Sequence, residues 1–215
     1  VKGITFTKVP IATLIEEGET GMTIRELCRN KTFWILMLMM LCAGASEQGV
    51  SQWASTFAEQ GLGVTKTIGD LAGPMAFAIL MGSSRAFYGE FGDRMDLDKF
   101  MIGSSILCII SYLCISLAPS AFVSLIGCSI CGFSVGIMWP GSFSKASMAL
   151  RRGGTSLFAL LALAGDVGCS GGPTLVGFVS GILSDNLKKG ILAGVIFPVF
   201  LLVGILLLGK SRSAE

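Results

Sequence analysis

FMIGSSILCIISYLCISLAPSAFVSLIGCSICGFSVGIMWPGSFS, residues 100–144, runs for 45 positions without one Asp, Glu, Lys or Arg. As a single helix it would be about 67 Å long, about twice the ~30 Å hydrocarbon core of a bilayer. It must fold back, and Ala118-Pro119-Ser120 is the place where the chain can turn. The remainder of the 215 residues agrees: 52% are hydrophobic, 14% are charged and none is histidine. Mean hydropathy is +0.75, and average soluble domains carry roughly 25% charge. A soluble enzyme, a nucleic-acid binder and a disordered tail are excluded. The net charge of +2 offers no nucleic-acid surface. The chain reads as an all-α polytopic membrane protein whose first partner is the lipid bilayer.

Spans need about 20 apolar residues each. Six are expected: 32–57, 67–88, 100–118, 121–143, 155–183 and 190–209, the fifth interrupted by Asp166 and by Gly171-Gly172-Pro173. Three regions follow, a polar cytoplasmic linker over 1–31, a six-helix bundle over 32–209 and a short tail over 210–215. The polar opening reads as an interior linker, as though a longer chain continued before it. The 29 glycines suit close helix packing in lipid. The seven cysteines sit mostly in apolar runs, and Cys128-Ser-Ile-Cys131 is read as small packing residues rather than a redox pair. No metal or cofactor is expected.

Lys and Arg fix the expected orientation. With both ends in the cytoplasm, 13 basic residues lie inside, Arg85 and Lys145 among them, against Lys66, Lys188 and Lys189 outside. The expected location is a plasma or inner cell membrane. Trp34 and Trp139 then fall near the inner interface and Trp53 near the outer one, as belt anchors.

Charged groups at mid-depth cost about 2.5–3.5 kcal/mol each on insertion scales, so they face a cavity or a partner. Glu47, Gln48, Ser51 and Gln52 share one helical stripe in the first span. A carboxyl, two amides and a hydroxyl suit hydrogen bonding to a polar solute in a wetted cavity. Interhelical contact is the competing use of the same groups. Asp166 lies near the middle of the fifth span, in Gly165-Asp166-Val167-Gly168-Cys169-Ser170-Gly171-Gly172-Pro173. The glycines and proline weaken the helix there, and a buried carboxyl would have the raised pKa that a proton-coupling site requires. Small residues four apart (Gly132/Gly136, Gly168/Gly172, Gly177/Gly181) permit close helix contacts. Gly69-Asp70 followed by Gly73-Pro74, and Gly165-Asp166 followed by Gly172-Pro173, form a faint repeat in the second helices of two three-helix groups.

Between the second and third spans runs Gly89-Glu90-Phe91-Gly92-Asp93-Arg94-Met95-Asp96-Leu97-Asp98. This resembles the signature G-x-L-[AG]-D-[RK]-x-G-R-[RK] of the major facilitator superfamily. Gly89, Gly92, Asp93 and Arg94 match, Phe91 replaces the usual Leu, and Asp96, Leu97 and Asp98 depart, as in the degenerate C-terminal copy. The resemblance implies helices 7 to 12 of such a fold, built as two inverted three-helix repeats. It further implies a gating loop of Gly89, Gly92, Asp93 and Arg94, in which Asp93 caps the fifth span or pairs with Arg151 or Arg152. In this reading the chain carries a small organic solute by alternating access powered by an ion gradient, with Asp166 as the candidate proton-coupling residue. The cavity residues Glu47, Gln48, Ser51 and Gln52 contact the solute. A missing N-terminal half, in the same chain or as a second copy, supplies the opposite wall. A channel and an intramembrane enzyme are the competing classes. The absence of histidine removes imidazole-based proteolysis from the second of these.

Overall fold

The computed structural model describes residues 21–62, 65, 67, 69 and 71–212. Most of the expected linker, Asp70 of the faint repeat and the last three residues of the tail lie outside them. The described residues form helices, with no strand among them. They are α1 (Ile24–Arg29), α2 (Lys31–Ser51), α3 (Ala54–Leu62), a π-helical turn (Leu71–Met75), α4 (Ala76–Phe91), α5 (Leu97–Leu117) and α6 (Ala121–Val135). α7 (Met138–Ala149), α8 (Gly154–Ile182), α9 (Leu187–Gly194) and α10 (Ile196–Arg212) complete the order.

Among the described residues, five helical stretches are long and apolar enough to cross a membrane: Lys31–Glu59, Leu97–Leu117, Phe122–Ala149, Arg151–Ile182 and Leu187–Lys210. The expected second span is not among them; its described residues include the π turn that holds Pro74 and then α4. The turn at Ala118-Pro119-Ser120 is where the sequence places it, between α5 and α6.

Local chemistry sets the helix starts. Thr23 and Glu26 form a reciprocal capping box on α1. Asn30 accepts the Thr32 N–H (2.9 Å) ahead of α2, and Asp96 accepts from Asp98 N–H (2.9 Å) ahead of α5. Asn186 does the same for α9 through Lys189 N–H (3.2 Å). Two elements depart from the expected spans. The fourth span breaks after Val135 and resumes as α7 through Ala149, six residues beyond its expected end. The fifth is not interrupted: α8 runs 29 residues straight through Gly171-Gly172-Pro173. Gly168 and Gly172 pack against α2, whereas Gly171 faces open space.

That contact is the centre of the bundle. α2 lies against α8 along most of its length and also meets α6, α7 and α10. A methyl group on Gly168 would collide with the Leu41 carbonyl, one on Gly172 with the Ala45 carbonyl, and one on Gly44 with the Gly165 carbonyl. Only bare backbone fits on either side of this seam. Lipid tails are as apolar as side chains, so van der Waals contact of this kind, rather than water exclusion, holds such helices together. A second seam joins α4 and α6, where Gly132 meets the Phe77 carbonyl and Gly136 meets Met81 and Ser84. Across the middle, the fully buried Tyr112 of α5 donates its hydroxyl to the Ser46 carbonyl of α2 at 2.8 Å. Outward faces are apolar: Ile106, Ile110, Leu113 and Leu117 on α5, and Phe122, Ile126 and Ile130 on α6, are exposed. The Gly177/Gly181 pair makes no matching seam, since Gly181 faces open space.

Gly168→Val is expected to cost at least ~3 kcal/mol, the upper range for overpacking, because the obstacle is backbone. Gly181→Ala is expected to be neutral. Thermal unfolding of the purified protein in detergent checks both.

Candidate functional site

The site starts from a missing N–H. Pro140, in the first turn of α7, cannot donate to the carbonyl four residues before it, which is Gly136. The helix opens there, at Gly136 and Ile137. The Gly136 carbonyl is taken instead by Arg85 of α4, whose Nε donates to it at 3.1 Å. One bond thereby repairs the break, ties α4 to α7 and fixes the guanidinium. The far end of that group reaches α2: Arg85 Nη2 lies 3.7 Å from Glu47 Oε2.

Glu47, Arg85, Trp139, Pro140 and Phe143 line a cavity of about 470 Å³. Its polar groups are under-used. Glu47 Oε2 and Trp139 Nε1 are buried without a hydrogen-bond partner. The Trp139 ring is backed by Gly165 of α8, where a side chain would strike it, and Phe143 bridges Trp139 (6.2 Å) to Phe158 (5.8 Å). The wall is therefore aromatic on one side and ionic on the other, and it draws on α2, α4, α7 and α8. Trp139, expected as a belt anchor, lines the cavity with its indole N–H buried. Trp53 donates its indole N–H to the Pro173 carbonyl at 3.3 Å, and Trp34, at the start of α2, donates to the Cys28 carbonyl at 2.8 Å.

Of the expected polar stripe, Glu47 reaches this cavity. Gln48, Ser51 and Gln52 follow on α2, with Gln52 exposed and its amide donating to Gln48 Oε1 at 3.2 Å. Asp166, expected to be buried, is exposed. It shares its face of α8 with Ser170, Gly171 and Thr174, all exposed. The two hydroxyls donate back to carbonyls of their own helix, Ser170 to Asp166 (3.2 Å) and Thr174 to Ser170 (2.7 Å). In the loop, Gly89 and Arg94 are exposed and Gly92 packs on the Tyr88 ring within a 3₁₀ turn, Gly92–Arg94. Arg151 is exposed in the 3₁₀ turn before α8. The Asp93 side chain lies outside the described residues.

Sequence reasoning missed Arg85, Trp139 and Phe143 as site residues. Arg85 lies three residues inside the expected second span, and its pairing with Glu47 was the available signal. It also missed a second ion pair. Lys145 of α7 is 1% exposed, and its Nζ sits 2.6 Å from Asp98 Oδ1 at the start of α5. The pair Lys99–Asp96, at 3.9 Å and open to solvent, contributes little.

These helices and their apolar outward surfaces define a polytopic membrane protein, with an open cavity of mixed ionic and aromatic lining set among α2, α4 and α7. The model of the Major Facilitator Superfamily matches residues 4–173, and the chain belongs to that superfamily, whose members are membrane transporters rather than enzymes. No curated protein and no solved structure matches the chain.

Asp98→Asn strands the Lys145 ammonium in the interior and is expected to cost on the order of 3 kcal/mol, the low end for a broken buried pair because Asp98 is one-third exposed. Lys145→Met, which leaves the partner at a water-accessible edge, is expected to cost less. Denaturant unfolding in micelles gives the order.

Proposed function

We propose that the chain is the C-terminal half of a secondary active transporter that moves a small organic solute by alternating access. The carrying observation is the cavity walled by Glu47, Arg85, Trp139 and Phe143, whose ionic groups sit where lipid would not tolerate them without a wetted passage. In this reading the bundle spans 32–209 with six helices, the π turn and α4 together serving as the second. The helices form two inverted three-helix repeats between a linker over 1–31 and a tail over 210–215.

The exposed face of α8 supports an opposing half. Asp166, Ser170, Gly171 and Thr174 make a polar strip that does not suit lipid, and a facing helix bundle would cover it. Asp166 on that strip is the proton-coupling candidate. Gln48, Ser51 and Gln52 extend the cavity wall beyond Glu47. Gly89, Gly92, Asp93, Arg94 and Arg151 form the cytoplasmic gate, closing when that side is shut. Both ends face the cytoplasm of a cell membrane. Even with Arg85 and Lys145 set aside because each faces an acid inside the bundle, eleven basic residues favour the inside against three outside.

In proteoliposomes containing the intact transporter, solute accumulation is expected to follow an imposed proton gradient and to collapse with a protonophore. Asp166→Asn is expected to abolish accumulation while leaving exchange of solute across the membrane. Dissipation of ion gradients without solute accumulation would indicate a channel and overturn the reading.

A further inference from the structure

The cavity carries a specific imbalance. A guanidinium has five N–H donors, and Arg85 spends Nε on Gly136. Four remain, and the indole N–H of Trp139 makes a fifth without a partner. Against them stands one acceptor, Glu47, whose Oε2 is 3.7 Å from Arg85 Nη2, beyond hydrogen-bond reach. The pair is thus close enough to balance charge but does not satisfy its donors. The Arg85 side chain is 45% exposed while that of Glu47 is 14% exposed, so the guanidinium is the group more open to an arriving solute.

We propose that this cavity binds an organic carboxylate, gripped by Arg85 and the Trp139 indole N–H with its carbon skeleton on Trp139 and Phe143, and that its arrival transfers one proton from solution to Glu47. The inference rests on the transporter reading and adds the class of solute. A planar guanidinium matches a carboxylate with two parallel hydrogen bonds, which few other small groups can accept. The arriving anion then shares one cation with Glu47. Two carboxylates beside a single half-exposed guanidinium repel each other, which favours placing a proton on one of them. The buried one, Glu47, is the better home for it: once protonated, its O–H becomes a donor to the bound carboxylate. Charge is conserved within the cavity, with the solute replacing Glu47 as the counter-ion of Arg85. A solute anion and one proton are therefore bound together with no net charge; this charge-balancing proton on Glu47 is separate from the driving proton assigned to Asp166, so loss of Asp166 stops accumulation without changing proton uptake on binding.

Other titratable groups on the surrounding helices do not substitute for Glu47. From α8 come Asp166, exposed on its own strip, and the Cys169 thiol, which lies within electrostatic reach of both acids. From α5 comes Tyr112, whose hydroxyl is committed to Ser46. α7 contributes Lys145, committed to Asp98.

Calorimetric titration of the intact purified transporter with lactate, gluconate and phenylacetate, each beside its neutral amide, tests the proposal. Runs at neutral pH in two buffers of different ionisation enthalpy give the protons taken up per molecule bound. At least one carboxylate is expected to bind with close to one proton taken up, and its amide roughly 100-fold more weakly, the worth of a charge-assisted bidentate contact. Arg85→Gln is expected to lose that binding, and Arg85→Lys to lose part of it. Glu47→Gln is expected to bind the carboxylate with no proton uptake, while Asp166→Asn keeps it. Binding by the unaltered protein should weaken as pH rises, which tests the proposal even if a variant fails to fold. Failure of all three carboxylates to bind, equal binding of an amide, or proton uptake persisting in Glu47→Gln would overturn it. Gradient-driven uptake of a neutral solute alongside any of these would leave the transporter reading standing while removing the carboxylate.

Discussion

Inside a hydrocarbon layer every backbone and side-chain polar group must find its partner within the protein, and this structure is organised by where those partners come from. The carbonyl released by Pro140 is met by Arg85. The charge of Arg85 is met by Glu47, and the Lys145 ammonium by Asp98. The Tyr112 hydroxyl finds the Ser46 carbonyl. Each of these links crosses from one helix to another, so meeting the requirement also fixes the bundle. Among the polar atoms left unmet, an oxygen of Glu47 and the Trp139 indole N–H lie at the same cavity.

Close approach is the other half of the design. α2 and α8 can place Glu47 beside Trp139 because glycines let their backbones touch at Leu41, Ala45 and Gly165. With side chains at those positions the two walls of the cavity would stand farther apart. Glycine at 165 has a further use, since it is the floor on which the Trp139 ring lies.

Much of this was legible from residue order. The 45-residue uncharged run required a turn, and the chain reverses at Ala118-Pro119-Ser120. The loop motif named the superfamily that the match over 4–173 shows. Glu47 was recognisable as a carboxyl too deep in its helix to be idle. Other features were hidden because they depend on distant positions. Arg85 reads as a loop charge until Gly136, 51 residues away, is seen beside it. Asp98 reads as a decayed motif position until Lys145 meets it. Pro173 reads as a helix breaker, but propensity yields to tertiary contact where Gly168 and Gly172 lock α8 onto α2. Burial of Asp166 could not be judged from depth along the span, because depth does not say which way a residue faces.

The interruption at Gly136 and Ile137 has a mechanical side. An ordinary helix resists bending because its own ladder of hydrogen bonds must stretch. Here one rung is anchored in a neighbouring helix, so the ladder at the junction of α6 and α7 runs through a side chain of α4. The geometry of that junction is therefore shared among three helices, and the same guanidinium that completes it also faces Glu47.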